Sequence, residues 1–149
     1  MIVAVFDTNI ILQAILSEGG PADECLRLVF DGKVRLITTD AVLGEIEDVI
    51  SRPKLVSKYP QLRTERPSQL IAKIRSEAGF ISPPPNIYRF ERDRKDEIFI
   101  NLAIAVNADY LVSRDNDLLD LRLDEDFISS FPKLKIASPF EFLQTVRAK

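Results

Sequence analysis

Histidine is absent from the 149 residues, and cysteine occurs once, at Cys25. The first absence removes every Ser-His-Asp or Cys-His nucleophilic arrangement and leaves a zinc site without its usual nitrogen ligands. The second removes any internal disulfide, and the neighbours Leu26, Leu28 and Val29 place Cys25 in a packed helix rather than in chemistry. No stretch reaches the ~18 apolar residues of a membrane span, and the N-terminus lacks the charged region, apolar core and cleavage site of a signal peptide. A soluble cytoplasmic protein is expected. Any metal held by such a chain must be held by oxygen.

What is present is apolar content, 46% of the chain, enough for the core of one domain spanning residues 1–149, with no internal repeat and no sign of a second domain. The net charge of -3 hides an asymmetry. Residues 1–51 carry 3 basic and 9 acidic groups, residues 52–95 carry 11 and 4, and residues 96–149 carry 6 and 10. A basic middle between acidic ends fits a nucleic-acid footprint beside an acidic site, and it equally fits the solvated face of helices.

The unbroken apolar run Ile2-Val3-Ala4-Val5-Phe6 reads as a strand buried on both faces, the kind found inside parallel sheets, and Asp7 stands where it ends. Open α/β sheets receive ligands at the carboxyl ends of their strands, while Asp and Thr are also common helix caps. Asp7 and Thr8 satisfy both descriptions. Ile10, Ile11, Ala14 and Ile15 at helical spacing predict a helix over 8–16, broken by Ser17-Glu18-Gly19-Gly20. Pro21 opens a second helix that stops at Asp31-Gly32, and residues 34–38 form the next strand of a right-handed crossover unit.

Thr39 or Asp40 caps a third helix with the apolar stripe Val42, Ile46, Val49 and Ile50. Glu45 falls on the rim of that stripe, the place of either an ordinary edge charge or a ligand. Residues 52–63 show little periodicity. Leu70, Ile71, Ile74 and Ala78 mark another helix closed by Gly79, Phe80-Ile81 a short edge strand, and Ser82-Pro83-Pro84-Pro85 a stiff connector.

Asp96 opens a helix over 98–106 that is apolar nearly all round, so it is expected to be buried or covered by a partner. Residues 110–112 form a strand, and Asp115 and Asp117 follow its carboxyl end as Asp7 follows the first. Beyond a linker, residues 134–137 give a last strand and Ser138-Pro139 starts a final helix. Asp93 could assist Asp96, but Arg92 and Arg94 on either side favour a surface ion pair.

Asp7, Glu45, Asp96 and Asp115 with Asp117 therefore come from separate elements yet can meet at one sheet edge. Clustered carboxylates repel one another at low dielectric unless a cation neutralises them. Oxygen ligands alone select hard cations, Mg²⁺ or Mn²⁺, and two such ions ~4 Å apart promote in-line displacement at phosphorus, which is nuclease chemistry.

The order of these pieces resembles the PIN-domain ribonucleases: an apolar strand with Asp7-Thr8-Asn9, a helix glutamate, Asp93-x-x-Asp96 before an apolar helix, and Ala108-Asp109-Tyr110-Leu111-Val112-Ser113-x-Asp115-x-Asp117-Leu118-Leu119. The VapC-type toxins of prokaryotic toxin-antitoxin systems belong to that family. The resemblance covers residues 2–54 and 93–121. It implies a three-layer α/β/α sandwich with a central parallel β-sheet and an Mg²⁺- or Mn²⁺-dependent endoribonuclease. Asp7, Glu45, Asp96 and Asp115 take the catalytic, metal-binding positions, with Asp117 an additional or outer ligand. Thr8, Asn9 and Ser113 fall where the family has short polar groups beside the site. Arg114 stands where many smaller toxins have glycine, and a basic residue there suits phosphate. An RNA substrate, an antitoxin that blocks the site and a homodimer are implied with the rest. Residues 55–92 lie outside the resemblance and carry no readable substrate preference.

Two other readings compete. A degenerate PIN fold would bind RNA or a protein without cutting, although the complete acid set argues against lost activity. A phosphohydrolase would use Asp7 as nucleophile, but that chemistry usually needs an acid two residues later, where this chain has Asn9.

Overall fold

A computed structural model describes residues 1–148. The run Ile2–Phe6 forms β1, and the loop after it turns at once into α1, Thr8–Leu16. Gly19, at a φ of 80°, turns the chain into α2, Pro21–Phe30, where proline suits the first helical turn, and β2 follows at Val34–Thr38. Thr39 caps α3, Asp40–Ser51, by accepting a hydrogen bond from the Val42 N–H at 3.2 Å. A short α4, Pro53–Lys58, and a single 3₁₀ turn at Pro60–Arg63 occupy the stretch that showed no periodicity. Both open on proline, and both are too short to display a helical repeat. Next come α5, Arg66–Glu77, and the two-residue strand β3, Gly79–Phe80.

The segment 81–96, which ends in a turn at 94–96, leads to α6, Glu97–Ala105, and then β4, Tyr110–Val112. The expected linker is largely helical instead: α7 at Asn116–Leu119, a 3₁₀ turn at Asp120–Leu123, and α8 at Glu125–Ser130, capped by Asp124 accepting from the Phe127 N–H. Strand β5, Lys135–Ala137, and helix α9, Pro139–Arg147, close the described chain, with Ser138 and Glu141 forming a reciprocal capping box.

All five described strands run parallel in the order β3-β2-β1-β4-β5, with Ile2 registered on Val34 and Ala4 on Tyr110. Helices α1, α2, α3, α5 and α9 pack against one another in one layer, and α6 lies against β1 and β4. Right-handed crossovers running outward in opposite directions from β1 require helices on both faces, giving the three-layer sandwich. Gly79 is fixed by the edge it occupies. A Cβ there would come within 2.7 Å of Ile37 Cδ1 and 2.9 Å of the Arg35 guanidinium.

The apolar helix α6 is covered by its own chain. Phe99, Ile100, Leu102 and Ala103 are buried, and so is Asn101, whose Oδ1 accepts from the Ile87 and Tyr88 N–H groups at 3.0 and 2.7 Å while its Nδ2 donates to the Tyr88 carbonyl. One turn earlier, Glu97 accepts from the Phe90 N–H at 2.9 Å. Two polar residues of a helix otherwise read as apolar thus hold the extended segment that leads into the acidic loop.

Candidate active site

The chain builds outward from β1 to β2 and β3, then crosses back to place β4 on the other side of β1. The gap between the carboxyl ends of β1 and β4 is therefore the point where strand order reverses, the usual ligand crevice of such sheets. A cleft of about 560 Å³ opens there, and Asp7, Glu45, Asp93, Asp96 and Asp115 all line it.

Asp7 serves both roles that its position allowed. Its Oδ1 caps α1 by accepting from the Ile10 N–H at 3.0 Å, and its Oδ2 accepts from the Ser113 hydroxyl. The same hydroxyl oxygen accepts from the Asp115 N–H at 2.9 Å, and Asp115 Oδ1 accepts from the Asp117 N–H at 2.8 Å. One network thus sets the loops after both central strands. Burial raises the Asp7 carboxyl above its ordinary value; the Ser113 and Ile10 hydrogen bonds oppose the rise, and the charge of Asp115 adds to it.

Asp93, Asp96 and Asp115 each present a carboxylate oxygen within 4.8 Å of the others, close enough to hold one metal ion together. Asp96 is pushed up to about 7, first by burial, then by a hydrogen bond with Asp115, then by the charges of Asp93, Asp115 and Asp7. Its Oδ2 is buried with no hydrogen-bond partner among the described residues. A buried, partnerless carboxylate oxygen among other acids is costly by itself and becomes favourable when a cation sits against it. An all-oxygen donor set fits Mg²⁺ or Mn²⁺.

Asp93 therefore corrects its reading as a surface ion pair. Its flanking cations are engaged elsewhere: Arg92 binds Asp117 and Asp120, and Arg94 binds Glu97 at 3.1 Å. Its Oδ1 instead accepts from the Lys95 N–H at 2.9 Å, making a tight turn that carries Asp93 and Asp96 into one cleft. The three-residue spacing of the two acids was visible in the sequence; the direction of the turn was not. Asp117 is half-buried, held by Arg92, and lies outside the cluster and outside the residues lining the cleft.

The remaining site candidates divide. Thr8 and Asn9 line the cleft, and exposed Glu45 lines it from α3. Ser113 is fully buried and acts through Asp7. Arg114 is exposed and does not line the cleft; its charge is felt at Cys25, whose thiol burial raises to about 12. That value keeps Cys25 an inert packed thiol. Part of the basic middle is structural. Arg66 pairs with buried Asp23 at 3.1 Å and donates to the Ala14 carbonyl at 2.7 Å, tying α5 to the end of α1 and the start of α2.

The PIN domain family matches residues 3–117, which takes in both central strands, the segment 55–92 and every acid of the cleft. The chain belongs to the PIN-domain family. It is 31% identical over 141 residues to an uncharacterized protein of Methanocaldococcus jannaschii, covering 94% of this chain and 88% of that relative. Among solved structures, VapBC2 from Rickettsia felis, crystallised bound to a DNA fragment from their promoter, superposes with a TM-score of 0.53 over 92% of this PIN-domain chain and 98% of that one. At 16% identity, the likeness is one of fold.

Proposed function

We propose that this PIN-domain protein is a metal-dependent endoribonuclease of the VapC type, acting as one nuclease domain over residues 1–149 and serving as the toxin of a toxin-antitoxin pair. The observation that carries this reading is the convergence of Asp93, Asp96 and Asp115 on one cleft, with a buried Asp96 oxygen that has no hydrogen-bond partner among the described residues. Folding such a group without a ligand is unfavourable, so the cluster is built for a cation.

Asp93, Asp96 and Asp115 would hold the ion, with Asp7 a further ligand beside them in the cleft and Glu45 facing them from α3. An Mg²⁺ or Mn²⁺ ion held there would supply a water of lowered pKa and neutralise charge on the phosphodiester. The chain's own contribution is positional. Ser113 fixes the Asp7 carboxylate, Asp7 fixes the start of α1, and Glu45 on a rigid helix accepts a hydrogen bond from the attacking water. Water would add to phosphorus as the P–O ester bond breaks, its proton passing to Glu45 while the departing ribose oxygen takes a proton from solvent; Asp117 supports the site from outside through its link to Arg92. Thr8 and Asn9 offer short polar groups to the substrate at the cleft wall.

The partners follow from the same reading. The antitoxin is a protein that occludes the cleft, the working form is a homodimer, and the compartment is the cytoplasm; no helix among the described residues is long and apolar enough to cross a membrane. The kinship in fold to VapBC2 supports the toxin assignment.

The test is cleavage of a labelled single-stranded RNA with Mg²⁺ or Mn²⁺, with and without EDTA, by wild type and Asp96→Asn. Metal-dependent cleavage lost in the variant supports the nuclease. RNA binding without cleavage by either protein replaces it with the non-catalytic module. Growth arrest on expression, absent for Asp7→Asn, separates a toxin from a housekeeping nuclease.

A further inference from the structure

Five carboxylates line the cleft, and a polyanion must enter it. Among the described residues that line it, Lys95 is the only basic one. Its surroundings should have neutralised it, since it follows Asp93 and precedes Asp96 in the chain. Yet no carboxylate lies within ion-pairing distance of its ammonium among the described residues, whereas its neighbours are all spent: Arg89 on Glu91, Arg92 on Asp117 and Asp120, and Arg94 on Glu97. The backbone keeps it so. The Lys95 N–H donates to Asp93 Oδ1, and the Asp96 N–H donates to the Asp93 carbonyl at 3.2 Å, so the turn that gathers the acids also projects Lys95 beside them.

We propose that Lys95 binds a non-bridging phosphate oxygen of the RNA, next to the position where Asp93, Asp96 and Asp115 hold the ion. The inference rests on the nuclease reading and goes beyond it by naming the residue that receives the substrate's charge. A lysine left unpaired inside an acidic cleft keeps its charge for an incoming anion, and a point charge on a long stem suits a phosphate whose neighbours vary. Arg114, whose place in the sequence suits phosphate, does not line the cleft.

The contact exists before and during the reaction, so Lys95→Met is expected to raise KM about tenfold with little change in kcat. In the non-cleaving Asp96→Asn background, anisotropy of a labelled single-stranded RNA should show a matching loss of affinity for the Lys95→Met double variant. The slope of log affinity against log salt should fall by roughly 0.7, the signature of one lost phosphate contact to a single strand. Lys95→Arg should restore the slope, and the Mn²⁺-induced thermal shift of the Lys95 single variants should equal that of wild type. Unchanged KM, affinity and salt slope in Lys95→Met, with wild type still cleaving, overturn the role of Lys95 and leave the nuclease intact. Wild type that neither cleaves nor binds RNA overturns both.

Discussion

The hydroxyl of Ser113, on the loop after β4, donates to Oδ2 of Asp7, on the loop after β1, and so joins the carboxyl ends of the two central strands across the point where strand order reverses. This bond is one of the interactions opposing the burial that raises the Asp7 carboxyl. Ser113→Ala is therefore expected to raise the Asp7 carboxyl further, to free it to turn, and to weaken Mn²⁺ binding about 10- to 100-fold, the usual cost of losing a group that orients a ligand. Calorimetric titration of Mn²⁺ decides it, and an unchanged affinity would remove Asp7 from metal binding.

Asp96 makes the metal-free protein sensitive to pH. Its carboxyl moves from 3.8 to about 7 on folding, so between those values the folded state binds more protons than the unfolded chain. Stability then falls as pH rises through that window. Thermal melts in EDTA should show wild type losing more between pH 5 and pH 7.5 than Asp96→Asn. The difference should be on the order of 3 °C, allowing for the water that partly screens the carboxyl. A decline of wild-type size in the variant would place the titrating group elsewhere.

Metal should reverse that loss. At a Mn²⁺ concentration about 100 times Kd, binding adds ~2.7 kcal/mol, or roughly 5–10 °C in Tm for a domain of this size. The shift should grow from pH 5.5 to pH 8, because Asp96 must release its proton to act as a ligand. Asp93→Asn and Asp96→Asn are expected to lose most of it. Asp117→Asn should retain most, since Arg92 holds that carboxylate outside the cluster; an equal loss would make Asp117 a ligand after all.

Arg66→Met should destabilise the protein without touching the cleft. Among the described residues it leaves buried Asp23 with only the exposed Arg27 at 3.7 Å and the Gly19 N–H, and it uncovers the Ala14 and Ile15 carbonyls at the end of α1. Breaking one side of a buried pair costs about 3–5 kcal/mol. Urea unfolding measures this directly, and a cost below about 1 kcal/mol would show that Asp23 is solvated once Arg66 is gone.

Much of the fold was legible locally. The strands at Ile2–Phe6, Val34–Thr38 and Tyr110–Val112 are short apolar runs bounded by polar residues, and the helices beginning at Thr8, Pro21 and Pro139 carry their start signals in sequence. The helical turns between Asn116 and Ser130 were not legible, because elements of four to six residues complete too few turns to show a period. Asn101 and Glu97 were hidden for another reason: their hydrogen bonds go to the backbone of residues 87–90, a contact that no helical spacing encodes.

The sequence by itself determined that oxygen would have to hold any metal, that acids would follow the central strands, and that the sheet would be parallel, since composition and periodicity act over a few residues at a time. Only the tertiary structure decided which acids share the cleft. Asp93 and Asp117 stand in similarly charged surroundings along the chain, and Arg92 separates them: it reaches across 25 residues to Asp117, leaving Asp93 to turn inward beside Asp96. The choice of partner for one guanidinium depends on how α6 and α7 sit against the sheet, which local sequence does not specify.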